Sequence, residues 1–245
     1  FRQALNMAIN RNRIIEVVQL GKGSLPTKAK VPFEYDPEKA NKILDSIGLN
    51  KRDADGWRLG PDGKRFIIPF EVPIWTVGTD KVTELVAEDW RKVGIYTTVK
   101  VIDMSLASTR REANENKAMC FWLDWAVYWP LNPMAWACSI DILFDDWGPL
   151  WRDWYYSKGK TGEEPPPDIK RFISALERVV ATGDDKVREG SMKQVYKMLY
   201  DNVYFFPIAE SYYPMIYNEN FGNIPVNTEY GISAAYSAEQ FFFRK

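Results

Sequence analysis

The stretch FIIPFEVPIWTVGTDKVTELVAEDWRKVGIYTTVKVI, residues 66–102, carries the clearest structural signal in the chain because its hydrophobic period changes twice. The apolar run at 66–74 predicts a strand, and the β-branched run at 95–102 predicts another. Between them a helix is predicted from Thr79 to Val93, ending before Gly94, because apolar residues recur at helical spacing: Val82, Leu85, Val86, Trp90 and Val93. A strand, a crossover helix and a second strand of these lengths predict an α/β layered fold.

Helical and extended patterns alternate along the rest of the chain. Further helices are predicted at 1–18, 37–48, 105–116, 168–181 and 184–200, and further strands at 118–125, 204–208 and 214–217. Asp36 and Pro37 supply the cap and the first residue of the helix at 37–48. Because the chain starts within a helical pattern, without an initiator Met or a signal peptide, we expect it to be a fragment.

The composition argues against several kinds of partner. Of 245 residues, 46% are hydrophobic and 27% are charged, which is typical of a globular protein. Lys and Arg number 32 against 33 Asp and Glu, for a net charge of -1, and no basic run stands out. This balance disfavours nucleic acid and anionic membrane surfaces as partners. No apolar run approaches the roughly 18 residues of a membrane span.

The residue types needed for many reactions are missing. The chain has no histidine, and therefore lacks the commonest general base and metal ligand. Cys120 and Cys138 do not have the spacing of a zinc site, and two buried thiols are favoured over a disulfide. Asp141, Asp145 and Asp146 lie near an aromatic run and raise the alternative of a glycoside hydrolase, but solvated acids explain them equally well. No cofactor, metal or enzyme activity is expected.

Four segments carry a resemblance to a known family: FRQALNMAINR, YDPEKANKILDSIG, DGWRLGPDGKRF and TELVAEDWRKVGI. In this order, over residues 1–102, they resemble the family 5 extracellular solute-binding proteins of ABC importers, in the oligopeptide, dipeptide and nickel cluster. The resemblance implies a periplasmic-binding-protein-like α/β lobe, with a central mixed sheet flanked by helices. Residues 1–205 would form the C-terminal lobe. Residues 206–245 would return toward the hinge and the missing N-terminal lobe.

The same resemblance implies a location and a partner. Members of this family are exported proteins that hand a small-molecule ligand to the permease subunits of an ABC transporter. The chain is therefore expected in the periplasm or outside the cell, associated with the membrane through the transporter or a lipid anchor.

The run FWLDWAVYWPLNPMAWACS, residues 121–139, holds four tryptophans and a tyrosine. Peptide-binding members of the family carry in this lobe a motif similar to Trp-x-x-Asp-Tyr-x-x-Pro, whose Asp neutralises the α-ammonium of the peptide. In the comparable place this chain has Trp125, Tyr128, Trp129 and Asn132, with Tyr128 where the carboxylate would be. Under another alignment Asp124, two residues after Trp122, supplies the carboxylate.

Trp, Tyr and Asn in place of a charge favour a neutral ligand such as a sugar, whose C–H faces stack on indole rings. Seven of the ten tryptophans lie between residues 122 and 154. The predicted ligand-binding residues are Trp125, Tyr128, Trp129, Asn132, Asp124, Trp122 and Trp75. Trp147, Trp151 and Trp154 instead have the spacing of one helix face packed on a core. The sequence therefore predicts a carrier of a neutral oligosaccharide, with an oligopeptide carrier as the alternative.

Overall fold

The computed structural model describes residues 1–26, 31–32, 34–73, 78–120, 148–211, 218–223 and 242–243. The helices in these ranges are α1 (Arg2–Met7), α2 (Arg11–Gln19), α3 (Pro37–Ser46), α4 (Thr79–Lys92), α5 (Met104–Glu112), α6 (Pro149–Ser157), α7 (Pro167–Ala181) and α8 (Asp185–Asn202). The strands are β1 (Ile67–Pro73), β2 (Tyr96–Ile102), β3 (Ala118–Met119), β4 (Phe221–Gly222) and β5 (Phe242–Phe243). None of the helices in these ranges is both long and apolar enough to cross a membrane.

The central element is a parallel sheet in the order β2-β1-β3. Strand β1 pairs with β2 along its whole length, and Phe70 and Glu71 of β1 pair with β3. Helix α4 connects β1 to β2, so the α/β fold predicted from residues 66–102 is confirmed. The expected mixed character of the sheet is not tested by these three strands. Strands β4 and β5 form a separate antiparallel pair.

One face of the sheet packs against α1, α3 and α4. Ile68 and Phe70 of β1 lie in this core, where the ring of Trp90 stacks on Phe70 with 5.1 Å between centroids. Trp90 is 1% exposed, as its predicted core position requires, and its indole N–H donates to the carbonyl of Leu5 at 3.0 Å. The burial of Trp90 therefore ties α4 to both the sheet and α1.

A buried arginine holds the segment that precedes the sheet. Arg58 is 0% exposed, and its guanidinium donates to the carbonyl of Val93 and the side chain of Asn41, each at 2.7 Å. It also donates to the carbonyl of Leu49 and to Asp45, at 2.6 Å for Asp45. Asn41 and Asp45 belong to α3, and Val93 directly follows α4. The bonds of Arg58 therefore join the ends of these two helices.

A second core lies between α7 and α8, the helix pair. Its buried members are apolar: Phe172, Ala175, Leu176, Val179, Met192, Val195, Leu199 and Val203, together with Val31. Residues 203–211, the connecting segment, run from α8 back to the first helices. Arg11 donates to the carbonyl of Pro207 at 2.7 Å, and Phe206 contacts both cores. The connecting segment thus packs the helix pair against the region around the sheet.

Most predicted elements are confirmed to within a few residues. The second predicted helix is α3, capped by the Asp36 carboxylate, which accepts the Lys39 N–H at 2.8 Å. The helices at 79–93, 105–116, 168–181 and 184–200 correspond to α4, α5, α7 and α8. The strand predicted at 118–125 is described only at β3, and residues 214–217 lie outside the described ranges.

The single N-terminal helix predicted at 1–18 is wrong, because the chain forms α1 and α2 with a break at residues 8–10. The N–H of Asn10 donates to the Asp89 carboxylate at 2.8 Å instead of continuing a helix. The Asn10 side chain then accepts the N–H of Arg13 at 3.1 Å and caps α2.

The strand predicted at 204–208 is also wrong, since the structure has no strand there. Pro207 has no N–H to donate to a sheet, and its carbonyl is bonded by Arg11. Within the connecting segment a bridge forms at Glu210, which pairs with Ser24.

Candidate functional site

The candidate site is the edge of the parallel sheet at which its strands end, here called the carboxyl edge. Strand β1 ends at Pro73, β2 at Ile102 and β3 at Met119. Because the three strands are parallel, these ends share one edge. Ligands of open α/β sheets commonly bind outside the carboxyl ends of the strands.

All of the predicted ligand-binding residues lie outside the described ranges: Trp75 within 74–77, and Trp122, Asp124, Trp125, Tyr128, Trp129 and Asn132 within 121–147. Their positions in the chain are nevertheless informative. Trp75 comes two residues after β1, and Trp122 comes three residues after β3. Since β1 and β3 are hydrogen-bonded neighbours, both predicted groups follow adjacent strand ends at the carboxyl edge.

Helix α4 begins at the carboxyl edge. Gly78 precedes it with φ 89°, a left-handed conformation that favours glycine, and no side chain caps the helix there. Thr83 is 0% exposed, and its hydroxyl donates to the carbonyl of Thr79 at 2.8 Å. Cys120, the residue after β3, packs against the core between the sheet and α4. Burial raises the pKa of the Cys120 thiol.

The opposite face of the sheet carries an ion pair that the sequence analysis missed. Glu71 of β1 accepts a hydrogen bond from Arg110 of α5 at 3.0 Å, and its side chain is 14% exposed. Arg110 also pairs with Glu115 at 3.1 Å. The sequence signal was a single charge within the otherwise apolar run IIPFEVP. This pair fixes α5 on the face of the sheet opposite α4.

Strand β2 ends at a capping aspartate. Asp103 accepts the backbone N–H of Ser105 at 2.8 Å and also binds the Ser105 hydroxyl. The hydrogen bond from that hydroxyl, followed by the one from the backbone, lowers the pKa of Asp103. An ionised carboxylate therefore stands at the start of α5. Within the described ranges, no cluster of Cys, Asp and Glu side chains is arranged to hold a metal ion.

The tryptophans predicted to be structural are partly covered. Trp151 of α6 packs on Ile169 and Ile173 of α7, in agreement with the predicted helix face. Trp154 lies beneath Lys170, whose ammonium is 5.1 Å from the ring centroid. Trp57 packs edge-on against Tyr96, with 5.1 Å between the ring centroids. Trp147 lies outside the described ranges.

Comparison with known proteins places the chain among bacterial binding proteins. The profile of the bacterial extracellular solute-binding proteins, family 5 Middle, matches residues 1–140, more than half of the chain. The dipeptide-binding protein of Pseudomonas aeruginosa is 26% identical over 227 residues, covering 87% of this chain and 38% of that protein. The periplasmic alpha-galactoside-binding protein of Rhizobium meliloti is 24% identical over 243 residues, covering 92% of this chain and 34% of that protein.

Solved structures agree with this placement. An oligopeptide-binding protein, OppA, superposes with a TM-score of 0.73 at 28% identity, covering 100% of this chain and 43% of that one. The periplasmic binding protein MelB of Agrobacterium fabrum, in complex with stachyose, has the same fold, with a TM-score of 0.69 at 21% identity, covering 92% of this chain and 35% of that one.

The chain thus spans less than half the length of these relatives. The profile match includes the four segments on which the resemblance rested, and the parallel sheet with flanking helices agrees with the solved structures. This chain belongs to family 5 of the bacterial extracellular solute-binding proteins.

Proposed function

We propose that the chain is part of the substrate-binding component of an ABC importer that captures a neutral oligosaccharide between two lobes and delivers it to the permease. The observation that carries this proposal is the place of the aromatic residues in the chain. Trp75 and the run at 121–139 follow the ends of two neighbouring parallel strands at the carboxyl edge. Indole and phenol rings from two adjacent segments suit the apolar faces of sugar rings.

The chemistry of the aromatic run supports a neutral ligand. A peptide brings an α-ammonium, and burying that charge without a carboxylate costs several kcal/mol. In the alignment that motivates the proposal, Tyr128 stands where such a carboxylate would be. The relatives named for an alpha-galactoside and solved with stachyose are precedents for oligosaccharide ligands on this fold.

An oligopeptide ligand is the second candidate, and two relatives named for peptides support it. The oligopeptide-binding protein OppA is 28% identical across the entire chain, and a dipeptide-binding protein is also among the relatives. If Asp124 rather than Tyr128 takes the place of the motif's aspartate, the charge partner for a peptide is restored.

The proposed architecture follows the relatives' greater length. Residues 1–205 form the C-terminal lobe, and residues 206–245 return toward the hinge and the other lobe. Closure of the two lobes would remove water from the aromatic rings and strengthen the bonds to the sugar hydroxyls. The whole protein would work in the periplasm or outside the cell, held at the membrane by the transporter or a lipid anchor, and would not act as an enzyme. A radiolabelled oligosaccharide recovered unchanged after incubation would agree with a carrier, whereas released shorter products would indicate a glycoside hydrolase.

Replacing Trp125 or Trp129 by Ala in the full-length protein tests the site. Each change should weaken oligosaccharide binding by about 1–3 kcal/mol, as expected for the loss of an aromatic anchor. Calorimetric titration of each variant with the oligosaccharide measures this change in binding free energy. Tyr200→Ala is the matched control, because Tyr200 lies on α8 and is 56% exposed. A variant that unfolds would show that its tryptophan belongs to the core, and unchanged affinity in both variants would remove these residues from the site.

A further inference from the structure

Side chains of the first two helices bind the start and the middle of the connecting segment. Arg2 donates to the carbonyl of Asn202 at 2.9 Å, and its guanidinium lies over the ring of Tyr204, 5.1 Å from the centroid. Arg11, 2% exposed, donates to the carbonyl of Pro207 at 2.7 Å. The first half of the segment is therefore bonded to both α1 and α2.

The far end of the segment is bonded to the chain at the end of α2. Gln19, the last residue of α2, donates through Nε2 to the hydroxyl of Ser211 at 2.6 Å. Ser24 and Glu210 form an antiparallel bridge, in which each N–H donates to the carbonyl of the other, at 3.0 and 2.9 Å. Gly23 permits this approach, because a Cβ there would lie 2.9 Å from the Glu210 carbonyl oxygen and would overlap the Gln19 side chain. We call these contacts, from Arg2 to the bridge, the clasp.

Apolar contacts reinforce the clasp and place its end. Phe206 packs edge-on against Trp90, with 5.8 Å between ring centroids, and Ile208 also packs on the core around the sheet. Helix α2 touches the start of α4, since a Cβ at Gly78 would come within 3.1 Å of Val18 Cγ1. Because α4 begins at the carboxyl edge, the clasp ends beside the candidate site.

We propose that the clasp makes the connecting segment a rigid part of the C-terminal lobe, and that Arg11, Gln19 and Gly23 are positioning residues for lobe closure. This inference rests on the proposed function, because it assumes that two lobes close on a ligand. A segment bonded at its start, middle and end moves with the lobe, since turning it would leave buried polar groups unpaired. The lobe therefore extends to Ser211, past the proposed boundary at residue 205, and the closing rotation takes place outside residues 203–211.

Fixing the segment in advance should raise the affinity for the ligand. If residues 203–211 were loose in the free protein, closure would have to order them, and the measured affinity would fall by the fraction of molecules already in place. The affinity should therefore depend on the clasp even though its residues need not touch the ligand.

A reversible crosslink across the bridge tests whether the segment moves during closure. The full-length protein carries Ser24→Cys and Glu210→Cys, with Cys120 and Cys138 replaced by Ala. The Cα atoms of a hydrogen-bonded antiparallel pair lie about 5.5 Å apart, within the range of about 4.4–6.8 Å that a disulfide spans. Stachyose and a tripeptide are the probes, with affinity measured by calorimetry and closure by the contraction in small-angle X-ray scattering. For the probe that binds, the oxidised and reduced forms should differ in affinity by less than about twofold and contract equally.

Two outcomes of the crosslink would overturn the inference. One is a loss of affinity of about tenfold or more, or of the contraction, that dithiothreitol reverses, because the segment would then have to leave Ser24 during closure. The other is failure of the two cysteines to join under mild oxidation, because the bridge would then be absent.

Gly23→Ala in the same protein tests the positioning role. The added methyl group displaces the Glu210 carbonyl and the Gln19 side chain, so the reduced variant should bind its probe about threefold to tenfold more weakly. Closing the disulfide should restore the affinity, which a purely structural defect does not predict. Gly183→Ala is the matched control, because no atom lies within 4 Å of the Cβ that it adds. Unchanged affinity of the reduced Gly23→Ala protein, or a loss that the disulfide does not restore, would overturn the positioning role; if this variant does not fold, the crosslink alone decides.

The results separate this inference from the proposed function. Binding of the tripeptide without stachyose would contradict the oligosaccharide proposal, and the crosslink comparison made with the tripeptide would still decide whether the segment moves. Binding of stachyose combined with a disulfide that blocks closure would leave the oligosaccharide proposal standing and overturn the inference.

Discussion

Two parts of the molecule, the region around the sheet (residues 1–120) and the helix pair (α7 and α8), are stabilised by different kinds of contact. Six polar or charged side chains are buried among the described residues from 1 to 120: Asn6, Arg11, Arg58, Thr83, Asp89 and Thr97. In the helix pair, Ser191 is the one polar side chain among the buried residues that the structure describes. The first region thus combines an apolar core with directional hydrogen bonds between buried groups, whereas burial of apolar surface dominates in the second. Directional contacts specify geometry closely, which suits the region that carries the carboxyl edge.

Arginine burial illustrates the first kind of packing. Burial lowers the pKa of Arg11 to about 10, which leaves its guanidinium charged at neutral pH. It donates to carbonyls of Asn6 and Pro207, at 3.1 and 2.7 Å. In the helix pair, by contrast, arginine and lysine form pairs at the surface, such as Lys197 with Asp201 at 2.7 Å. Surface pairs of this kind contribute little to stability.

The largest effect is expected from Arg58→Met. The change removes a 0% exposed guanidinium and leaves the carbonyls of Val93 and Leu49 without its hydrogen bonds. The free energy of unfolding should fall by about 3–5 kcal/mol, as for other broken buried ionic networks. Urea titration of the full-length protein gives this value. Lys197→Met in the helix pair is the control and should change stability by less than about 0.5 kcal/mol. Equal losses in both variants would abolish the distinction between the two regions.

Leu176→Ala tests the second kind of packing. Leu176 is 1% exposed in the core of the helix pair, and its truncation should lower the free energy of unfolding by about 2–4 kcal/mol through lost burial and a cavity. Val187→Ala, at a position 46% exposed on α8, is the matched control and should stay within about 0.5 kcal/mol. A small loss for Leu176→Ala would mean that the apolar core does not hold the pair together.

The smallest effects on stability are expected from changes in pH. Burial raises the pKa of Tyr196, which packs against the core of the helix pair, to about 12 from 10.0. A raised pKa means that the folded state keeps the proton longer, so this contribution is complete below pH 10 and is lost as pH rises toward 12. Melting curves at increasing pH should show a smaller alkaline loss for Tyr196→Phe than for the parent. An identical loss would exclude Tyr196 as the cause.

In the region around the sheet, the change in stability is expected at low pH. Hydrogen bonds from Trp57 and Arg65 lower the pKa of Asp53, so its contribution is present above the ordinary value of 3.8 and is lost as pH falls below it. Glu189 on α8, whose pKa is lowered by Lys193, acts in the same direction. With no histidine in the chain, its stability and its contribution to ligand binding should change little between about pH 6 and 8. A midpoint near pH 6.5 would contradict this expectation.

The sequence predicted elements well where local signals mark their ends. Asp36 and Pro37 begin α3, and Gly94, with φ 84°, follows the end of α4. The prediction from sequence failed where a side chain distant in sequence hydrogen-bonds a backbone group that the predicted helix or strand would have used. Asp89 binds the N–H of Asn10 and breaks the first helical pattern, and Arg11 binds the carbonyl of Pro207 within a predicted strand. No local periodicity records such contacts.

The position of the candidate site was easier to predict from the sequence than the contacts around it. The end of β1 was predicted from the apolar run at 66–74, whereas the strand predicted at 118–125 is described only at Ala118–Met119. The ion pair between Glu71 and Arg110 was not predicted, because it joins residues 39 positions apart and no local pattern pairs them. The roles of Trp125 and Trp129 stay predictions.

The most direct test is a calorimetric comparison of oligosaccharides and oligopeptides as ligands of the full-length protein. If aromatic faces at the carboxyl edge have replaced a charge partner, a neutral sugar such as stachyose or mannohexaose binds, and peptides of two to five residues bind at least about 100-fold more weakly, a difference of roughly 2.7 kcal/mol. Tight binding of a peptide, abolished when its α-ammonium is acetylated, would contradict the account and assign the site to a carboxylate such as Asp124.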